Sequence, residues 1–482
     1  MNATTGDKLG WYAASAVPGE ARPRLTFDLD VEVCVVGGGI AGLQVALEAA
    51  KHGATVAVLE SRQLAWSASG YNLGTVMPGF GGEVDDLIAR VGREDARELW
   101  ALTQEGAEHI RATAAAIGDV ALTEGVLEVS HTDNGDQLVH RLQLIGDEFG
   151  ADVEGWQMER VRDALKTRRY FHAMHYPKGF HLHALNYARG LAALAEKAGV
   201  RIFEETPVVS IDPSGVRKRI VTPAARMRAY SVVLAGNVHL GSLFPRLSRT
   251  VLPVWRHAAV TEPLGERLKE AMTWRGAVTE SSAVGHYRIL DGDRLMWAGP
   301  VTTFDVNPRR FARSIERHIR AVFPQLGAVK VADVFSGATG ETVHGMPQVG
   351  ELRKGFWVAS GFGRHGLSTS AMAAQLIAGG IVHNDDRWKL FTPFELVWSG
   401  GPAGRVAGQV VYSWSRASAG VAGALARYRE RARIRERQRE ARLAAANQAV
   451  RAMQVTGQGP RPRPPAPVAA QEQRADRNLA GS

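Results

Sequence analysis

Three glycines at helix-opening spacing, followed by an acid, are the residues of this chain whose types and spacing point most directly to chemistry. Gly37, Gly39 and Gly42 form the pattern G-x-G-x-x-G, and Glu60 closes the next apolar run. In such a turn the first glycine allows the tight bend, the second lets a pyrophosphate approach the backbone, and the third lets helix and strand pack closely. Free N–H groups at the helix start favour phosphate, and the acid can accept hydrogen bonds from ribose hydroxyls. The pattern predicts a dinucleotide site and leaves open which dinucleotide binds.

The neighbouring sequence supplies the strand and helix that this turn requires. Residues 31–36 carry valine at every second position from Val31 to Val35, the pattern of a buried strand. Residues 43–50 carry apolar side chains at helical spacing. Residues 54–59 form a second apolar run of strand type, which leads into Glu60. Strand, turn, helix and acid therefore occur in the order of a βαβ nucleotide-binding unit.

Two distant segments are predicted to complete this nucleotide-binding domain. Residues 230–237 form an apolar strand with a glycine near its end, which suits a central parallel strand. Residues 356–360 form another buried strand, which leads through a glycine-rich turn into an apolar helix predicted over residues 367–381. The domain is therefore discontinuous in sequence.

A region between these segments has antiparallel character. Strands are predicted over residues 252–261, 284–289 and 294–298, and Asp291-Gly292 between the last two is a hairpin turn signal. This pattern indicates a second domain inserted between pieces of the first.

Size, cysteine content and hydropathy limit the class of protein. The chain has 482 residues, enough for two or more domains. Cys34 is the only cysteine, which excludes an internal disulfide and a cysteine-based zinc site, and no metal site is predicted. We interpret Cys34 as a small buried side chain rather than a reactive thiol. With neither a long apolar run nor a secretory signal, we expect a cytoplasmic protein.

The basic charge of the chain is concentrated at its C-terminal end. The net charge is +9, and residues 421–482 hold thirteen arginines against five acids, which is +8. The remaining body is nearly neutral, so we predict no nucleic-acid binding. Seven arginines spaced two apart between Arg427 and Arg439 encircle a helix instead of forming one stripe. A solvated helix is the first interpretation, and weak contact with an anionic membrane or an acidic protein is the alternative.

Six further segments carry short motifs: residues 11–16, 66–74, 183–191, 261–264, 345–350 and 361–366. Together with the phosphate turn, and in the same order along the chain, they resemble motifs of the FAD-dependent D-amino-acid oxidase and glycine oxidase superfamily, nearest to its γ-glutamylputrescine oxidoreductase branch. The resemblance implies that the dinucleotide is FAD. No second G-x-G-x-x-G follows a strand, and Gly400 to Gly404 are interpreted as a loop, so an NAD(P)H-fed reductase is not favoured. Non-covalent FAD is expected, because Cys34 is in the wrong strand and residues 67–74 contain no histidine.

The motif and the resemblance together assign a set of FAD-binding residues. These are Gly37, Gly39, Ile40, Ala41, Gly42, Glu60, Ser61, Arg62, Ser69, Gly70, Asn72, Val208, Ala235, Gly236, Gly361, Gly363, Arg364, His365, Gly366 and Leu367. The N–H groups of the last segment, at a helix start, are the expected partners of the negative charge on reduced flavin. We predict that His365 is a catalytic residue that adds positive charge there; the alternative is that it only caps the turn.

The substrate side of the site is less defined. Relatives that oxidise simple amino acids carry a carboxylate-binding arginine where this chain has residues 337–341, which include no arginine. We therefore expect an amine whose acid group is remote or missing. We predict that Arg288 binds a distant carboxylate of the substrate; the alternative is an ordinary solvated arginine on a strand. His257, His286 and His344 lie in segments that the family uses around its substrate cavity.

The predicted function is FAD-dependent oxidation of the C–N bond of a γ-glutamylputrescine-like amine, a secondary amine or an amino acid. Hydride leaves the carbon for the flavin, the resulting imine is hydrolysed, and oxygen or an electron-transfer carrier accepts the electrons. A neutral amine drives this transfer, so no protein base is strictly required. The alternatives are a membrane-docked N-methyl-amino-acid or secondary-amine dehydrogenase, and a non-catalytic flavin-bound partner subunit.

The predicted fold class is α/β: a discontinuous FAD-binding Rossmann-like domain, an antiparallel-sheet substrate domain of the glycine oxidase type, and a helical C-terminal extension. The FAD-binding domain is assigned to residues 1–85, 181–245 and 335–385, and the substrate domain to residues 86–180 and 246–334. Residues 386–450 are assigned to the extension and residues 451–482 to a disordered tail.

Overall fold

The structure, a computed structural model, describes residues 10–280 and 285–455. It divides the chain into two units, Met1–Ala426 and Arg427–Ser482. The first residue of the strand predicted from Val284, and the predicted disordered tail from residue 456 onward, lie outside the described residues. Residues 451–455, assigned from sequence to that tail, continue the last helix.

The strands of the described part are β1 Leu29–Val36, β2 Val56–Leu59, β3 Thr75–Val76, β4 Thr123–Val129, β5 Glu154–Trp156, β6 Ala173–His181, β7 Arg201–Phe203, β8 Ser210–Asp212, β9 Lys218–Val221, β10 Arg226–Leu234, β11 Leu252–Thr261, β12 Ala277–Glu280, β13 His286–Leu290, β14 Arg294–Ala298, β15 Val331–Glu341, β16 Gln348–Arg353 and β17 Phe356–Ser360. The α-helices are α1 Trp11–Ser15, α2 Ile40–Lys51, α3 Val84–Val91, α4 Arg93–Ile117, α5 Gly135–Leu142, α6 Met158–Leu165, α7 Ala184–Lys197, α8 Pro245–Ser248, α9 Arg267–Ala271, α10 Pro308–Val322, α11 Gly366–His383 and α12 Gly401–Val455.

The first sheet assembles strands from distant parts of the chain. Its order is β16-β17-β10-β1-β2-β7, with β9 on β10 and β8 on β9. The four pairs from β17 to β7 are parallel, whereas β16, β9 and β8 pair antiparallel. Because β1 and β10 lie side by side at its centre, the phosphate turn after β1 and the loop after β10 meet at one edge.

The second sheet forms the wall opposite this edge. Its order is β15-β11-β14-β13-β12-β4-β6-β3, with β5 on β6. Its pairs are antiparallel except for β4 with β12, which is parallel. Strands β13 and β14 form the predicted hairpin, in which Asp291 and Gly292 both adopt positive φ. Tyr287 and Trp297 stack in its core with ring centroids 4.1 Å apart.

Helix α11 is the buried helix predicted from the apolar run after β17. It packs against α2 and α4, and nearly every residue from Leu367 to Gly380 is buried. The observed helix is two residues longer at its C-terminal end than predicted and ends at Asn384 in the left-handed conformation. Cys34 is buried in β1, and burial raises the pKa of its thiol to about 12, so it is not a reactive thiolate at neutral pH.

The prediction of a loop over Gly400 to Gly404 is wrong, because helix α12 begins at Gly401. Pro402 lies in the first turn, where a missing N–H removes no helical hydrogen bond, and the Gly404 N–H donates to the Gly400 carbonyl at 3.0 Å. Among the helices of the described residues, none combines the length and the hydropathy that a membrane span requires.

Candidate active site

The turn between β1 and α2 has the backbone geometry that the glycine pattern predicts. Gly37 has a φ of +117°, and a Cβ there would lie 2.9 Å from the carbonyl carbon of Ala235 in the loop after β10. A Cβ on Gly42 would lie 2.0 Å from the carbonyl oxygen of Gly37. Gly39 caps α2 without a side-chain hydrogen bond, and the next N–H, of Ile40, donates to Ser69 Oγ at 3.0 Å. The positive end of the helix therefore opens onto a narrow backbone cradle.

Glu60 is held by donors from two sides of this cradle. Its Oε2 accepts from the Gly38 N–H at 2.7 Å. Its Oε1 accepts from the Arg62 N–H at 2.9 Å, from the Ser61 hydroxyl at 3.1 Å and from Trp66 Nε1 at 3.2 Å. The buried carboxylate has about four lone-pair sites, which these donors occupy, so the acid is fixed in position, and a ribose hydroxyl would bind it by replacing one of these donors.

Two neighbouring cavities follow the turn. The first, of about 470 Å³, runs from Glu60 past Gly37 to Val208 and Gly236. The second, of about 230 Å³, extends from Gly39 to the wall formed by β12, β13 and β15. Both are lined by Gly39, Ala68, Ser69, Ala235 and Asn237, so they form one continuous depression; the 230 Å³ part is called the active cavity below.

Most of the predicted FAD-binding residues line this depression. They are Gly37, Gly39, Ile40, Ala41, Glu60, Ser61, Ser69, Asn72, Val208, Ala235, Gly236, Gly363, Arg364, Gly366 and Leu367. Those that line neither cavity are Gly42, Arg62, Gly70, Gly361 and His365. Gly42 and Gly70 serve packing: a Cβ on Gly70 would lie 2.4 Å from the carbonyl oxygen of Ala65. The guanidinium of Arg62 stacks over the ring of Trp66, 4.2 Å from its centroid.

The positive charge expected from His365 is not present at neutral pH. Burial, followed by the charge of Arg364, lowers the pKa of its imidazole to about 3. The alternative role as a turn cap also fails, because His365 is the N-cap of α11 but makes no side-chain capping hydrogen bond. A positive charge beside the start of α11 therefore comes from Arg364, which lines the active cavity.

Arg288 is buried, so the alternative of a solvated strand arginine is wrong. It is 3% exposed, and its Nη1 donates to His181 Nδ1 at 2.8 Å while its Nη2 donates to the Tyr12 hydroxyl at 3.2 Å. The side chain does not line the active cavity, and these internal partners occupy both terminal nitrogens. Its assignment to a substrate carboxylate stays a prediction that these contacts do not support.

Of the three histidines noted from sequence, His286 alone lines the active cavity. Its Nε2 lies 2.7 Å from the Thr75 hydroxyl oxygen. His257 is buried, with its Nε2 2.9 Å from a carboxylate oxygen of Asp305, and His344 lines a separate surface cavity. The family segments therefore contribute one histidine to the candidate site.

Arg256 and Thr279 line the active cavity and were missed in the sequence. The available signal for Arg256 was a charged residue within the largely buried strand β11. Its Nη2 donates to Glu341 Oε1 at 2.6 Å. Arg364 Nη2 donates to Thr279 Oγ1 at 2.8 Å and therefore holds that hydroxyl in the cavity wall.

Comparison with known proteins agrees with this geometry. The sequence model of the DAO family, described as FAD dependent oxidoreductase, matches residues 32–379. Gamma-glutamylputrescine oxidoreductase of Escherichia coli (strain K12) is 29% identical over 389 residues, which span 79% of this chain and 90% of that protein. Probable oxidoreductase OrdL of Haemophilus influenzae is 27% identical over 379 residues, 77% of this chain and 87% of that protein.

The same fold occurs in solved structures. The crystal structure of glycine oxidase from Geobacillus kaustophilus superposes with a TM-score of 0.62 at 22% identity, covering 76% of this chain and 98% of that chain. The predicted fold class of the glycine oxidase type is therefore confirmed.

Proposed function

Since the chain belongs to the DAO family of FAD-dependent oxidoreductases, we propose that it oxidises the C–N bond of an amine whose acid group is remote from the reacting carbon. The predicted cofactor, FAD, is confirmed by this membership. One observation carries the choice of substrate class: Arg256 and Arg364 bring two guanidinium groups into the active cavity, and no carboxylate is found among its described lining residues.

The depression beside the phosphate turn fits FAD. A side chain at Gly37 would collide with the backbone of Ala235, and one at Gly42 would collide with the Gly37 carbonyl, so the turn keeps its open cradle only with glycine. The start of α2 offers N–H groups to phosphate, and Glu60 lines the same depression. Gly363, Gly366 and Leu367 at the start of α11 would hold the isoalloxazine end of the cofactor. When bound there, FAD supplies the two-electron acceptor for a hydride from the carbon beside the amine nitrogen.

The residues of the cavity favour the neutral amine. The positive charge of Arg364 and the loss of water on binding both disfavour an ammonium group, so the pKa of a bound amine falls. Arg256 contributes less, because Glu341 pairs with it at 2.6 Å. His286 adds no positive charge, because burial, followed by the charges of Arg364 and Arg288, lowers its pKa to about 3. The amine lone pair is therefore available without a carboxylate base. Thr279, held by Arg364, and Thr75, paired with His286, present hydroxyl groups for orienting the substrate.

Anaerobic reduction of the yellow holoprotein tests the proposal. We expect γ-glutamylputrescine to remove the flavin absorbance at least tenfold faster than glycine, D-alanine or N-methylglycine, because the cavity is built for an amine with a distant acid. Arg364→Met should slow this reduction at least tenfold, whereas Arg246→Met, at an exposed arginine of α8 outside both cavities, should not. Faster reduction by glycine, or none by any amine, would contradict the proposal. Peroxide formed in air would identify oxygen as the acceptor.

A second candidate, a secondary-amine dehydrogenase that docks on an anionic membrane, is favoured by one observation. Every side chain from Arg431 to Ala452 of α12 is exposed, and this segment carries arginine as its only cationic residue type. Exposed arginines on a helix attract anionic lipid headgroups in a salt-dependent way. The test uses truncation of the chain and is given with the whole-molecule predictions.

A further inference from the structure

A third cavity, of about 260 Å³, adjoins the active cavity beneath the first turns of α12. The two share Arg256, Val301, Gly363 and Arg364 in their walls. Tyr412, Ser415 and Arg416 of α12 complete the new cavity, which is called the outer compartment below. The family match ends at residue 379, so α12 lies outside the region that this chain shares with the family.

The first turns of α12 are fixed in place by hydrogen bonds to the loop after β14. Arg405 Nη2 donates to the Thr303 carbonyl at 2.8 Å, and the Thr303 N–H donates to Gln409 Oε1 at 3.0 Å. Arg416 Nη1 donates to the Val301 carbonyl at 2.9 Å. The wall of the outer compartment is therefore a positioned structural element.

The cations of the outer compartment outnumber its acids. Arg256 is paired with Glu341, whose second oxygen accepts from the Tyr412 hydroxyl at 2.6 Å. Arg364 and Arg416 have no carboxylate partner among the described residues. Arg364 donates to Thr279 Oγ1 and the Glu280 carbonyl, and Arg416 donates to the Val301 carbonyl and Ser413 Oγ. Arg416 thus has no acid beside it in the described part of the chain. The charge of Arg364, in contrast, acts on the largely buried carboxylate of Glu128, which is itself paired with Arg141 at 3.0 Å.

This surplus is not required by the phosphates of the cofactor. The cradle for a pyrophosphate is the turn at Gly37 to Gly39, and Arg416 does not line either cavity beside that turn. Desolvation lowers the pKa of Arg416, the direction expected for a guanidinium that lacks an acid partner. An anion bound between Arg416 and Arg364 would supply that partner, and guanidinium groups bind carboxylates with paired hydrogen bonds.

We propose that the outer compartment is a binding subsite for the distal carboxylate of an acylated amine substrate, with Arg416 of α12 and Arg364 as its cations. This inference rests on the proposed function: the amine lies in the active cavity and the acyl chain passes Arg256 and Val301 into the outer compartment. Two joined cavities suit an extended molecule with nitrogen at one end and an anion at the other. Arg416 is then a specificity residue that comes from outside the family region.

A matched pair of substrates isolates the carboxylate. N-glutarylputrescine and its primary amide have the same length and reacting amine and differ by one negative charge. For the wild-type holoenzyme we expect kcat/KM to be at least tenfold higher for the acid, chiefly through a lower KM, because a charge-assisted contact is lost in the amide. Arg416→Gln should reduce this acid-to-amide ratio to near one, and Arg416→Lys should keep part of it.

Arg405→Gln is the matched control, because Arg405 also anchors α12 to a backbone carbonyl but does not line the outer compartment. It should retain the wild-type ratio, which separates loss of the anion contact from loss of helix docking. An equal kcat/KM for acid and amide in the wild type, or a ratio unchanged in Arg416→Gln, would overturn the subsite while leaving amine oxidation intact.

Equilibrium binding of glutarate to the holoprotein, measured by calorimetry, tests whether the outer compartment binds a carboxylate, even if no amine is oxidised. We expect binding to the wild type and to Arg405→Gln, and at least tenfold weaker binding to Arg416→Gln. Failure of every amine to reduce the flavin would contradict the proposed function alone. Absence of glutarate binding, or equal binding by all three proteins, would contradict the subsite.

Discussion

His286 occupies the wall of the active cavity as a neutral side chain. Its Nε2 lies 2.7 Å from the Thr75 hydroxyl oxygen, and burial, followed by the charges of Arg364 and Arg288, lowers its pKa to about 3. A histidine with so low a pKa is protonated only in strongly acidic solution. Near neutral pH it therefore orients Thr75 and does not act as a general acid.

The pH dependence of flavin reduction follows from this assignment. Between pH 6 and 10 His286 stays deprotonated, so reduction should accelerate with rising pH solely because the substrate ammonium loses its proton. His286→Asn should change the midpoint of this rise by less than about 0.3 pH unit. Anaerobic stopped-flow reduction measures the profile, with His140→Asn at an exposed histidine as control. A midpoint displaced by a full unit in His286→Asn alone would show that His286 itself titrates.

Residue roles could be predicted from sequence where local spacing determines them. The three glycines belong to one turn, and its backbone contacts impose their spacing. Glu60 follows the adjacent strand β2 and accepts from the Gly38 N–H of that turn. Arg256 has no such signature, because its partner Glu341 lies 85 residues later on the adjacent strand. His365 was assigned a charge from its place in a motif, whereas burial beside Arg364 removes that charge.

At the scale of elements, the short helix α1 supports the segment that lines the active cavity. Tyr12 is 1% exposed; its hydroxyl donates to the Asn72 carbonyl and accepts from Arg288 Nη2. The Asn72 side chain in turn donates to the Ala68 carbonyl at 3.0 Å and accepts from the Gly74 N–H at 2.7 Å. One hydroxyl thus joins α1, strand β13 and the loop that ends at Gly74.

Removing that hydroxyl should loosen the loop. Tyr12→Phe leaves the Asn72 carbonyl and Arg288 Nη2 without their partner inside the protein, at a cost of about 1–3 kcal/mol in the free energy of unfolding. We also expect weaker FAD binding, since Asn72 lines the active cavity. Denaturant unfolding and flavin fluorescence titration measure the two effects. Tyr428→Phe, at an exposed tyrosine, should change stability by less than about 0.5 kcal/mol, and equal behaviour of the two variants would refute the role of α1.

Sequence periodicity identified the elements whose apolar faces are buried and misassigned one that begins with turn residues. Helix α11 runs from Gly366 to His383, close to the helix predicted over residues 367–381. The start of α12 was predicted as a loop because glycine and proline occur both in loops and at helix starts. The sequence also did not indicate which face of α12 packs against the protein, since tyrosine and arginine, the residue types at Tyr412 and Arg416, are common on solvent-facing helices.

At the scale of the whole molecule, the domain ranges predicted as continuous stretches do not coincide with the two sheets, because each sheet combines strands from distant parts of the chain. Strand β3 falls within the stretch assigned to the FAD-binding domain but pairs with β6 in the second sheet. Strand β15 crosses the predicted boundary at residue 335. The domain ranges stay a proposal, and limited proteolysis of the holoprotein with mapping of the cleavage sites would test them.

The division of the chain at Ala426 leads to a prediction about truncation. A chain that ends at Ala426 keeps Tyr412, Ser415 and Arg416 in the first unit, and none of the side chains described from Arg427 to Ala452 is buried. We therefore expect its FAD content and acid-to-amide ratio to match the full chain and its unfolding free energy to differ by less than about 0.5 kcal/mol. A chain ending at Ser399 should lose the ratio, because the wall of the outer compartment is gone.

The full chain and the chain ending at Ala426 differ in charge, and comparing them tests whether the protein docks on an anionic membrane. The full chain carries thirteen arginines and five acids after Ala426, and the chain ending at Ala426 lacks all of them. If this segment binds lipid, the full chain should sediment with vesicles containing phosphatidylserine at low salt and be released at high salt, whereas the chain ending at Ala426 should not bind. Neutral phosphatidylcholine vesicles are the control. Equal sedimentation of both chains would assign the arginines to a solvated helix, because a contact carried by their charge cannot survive their removal.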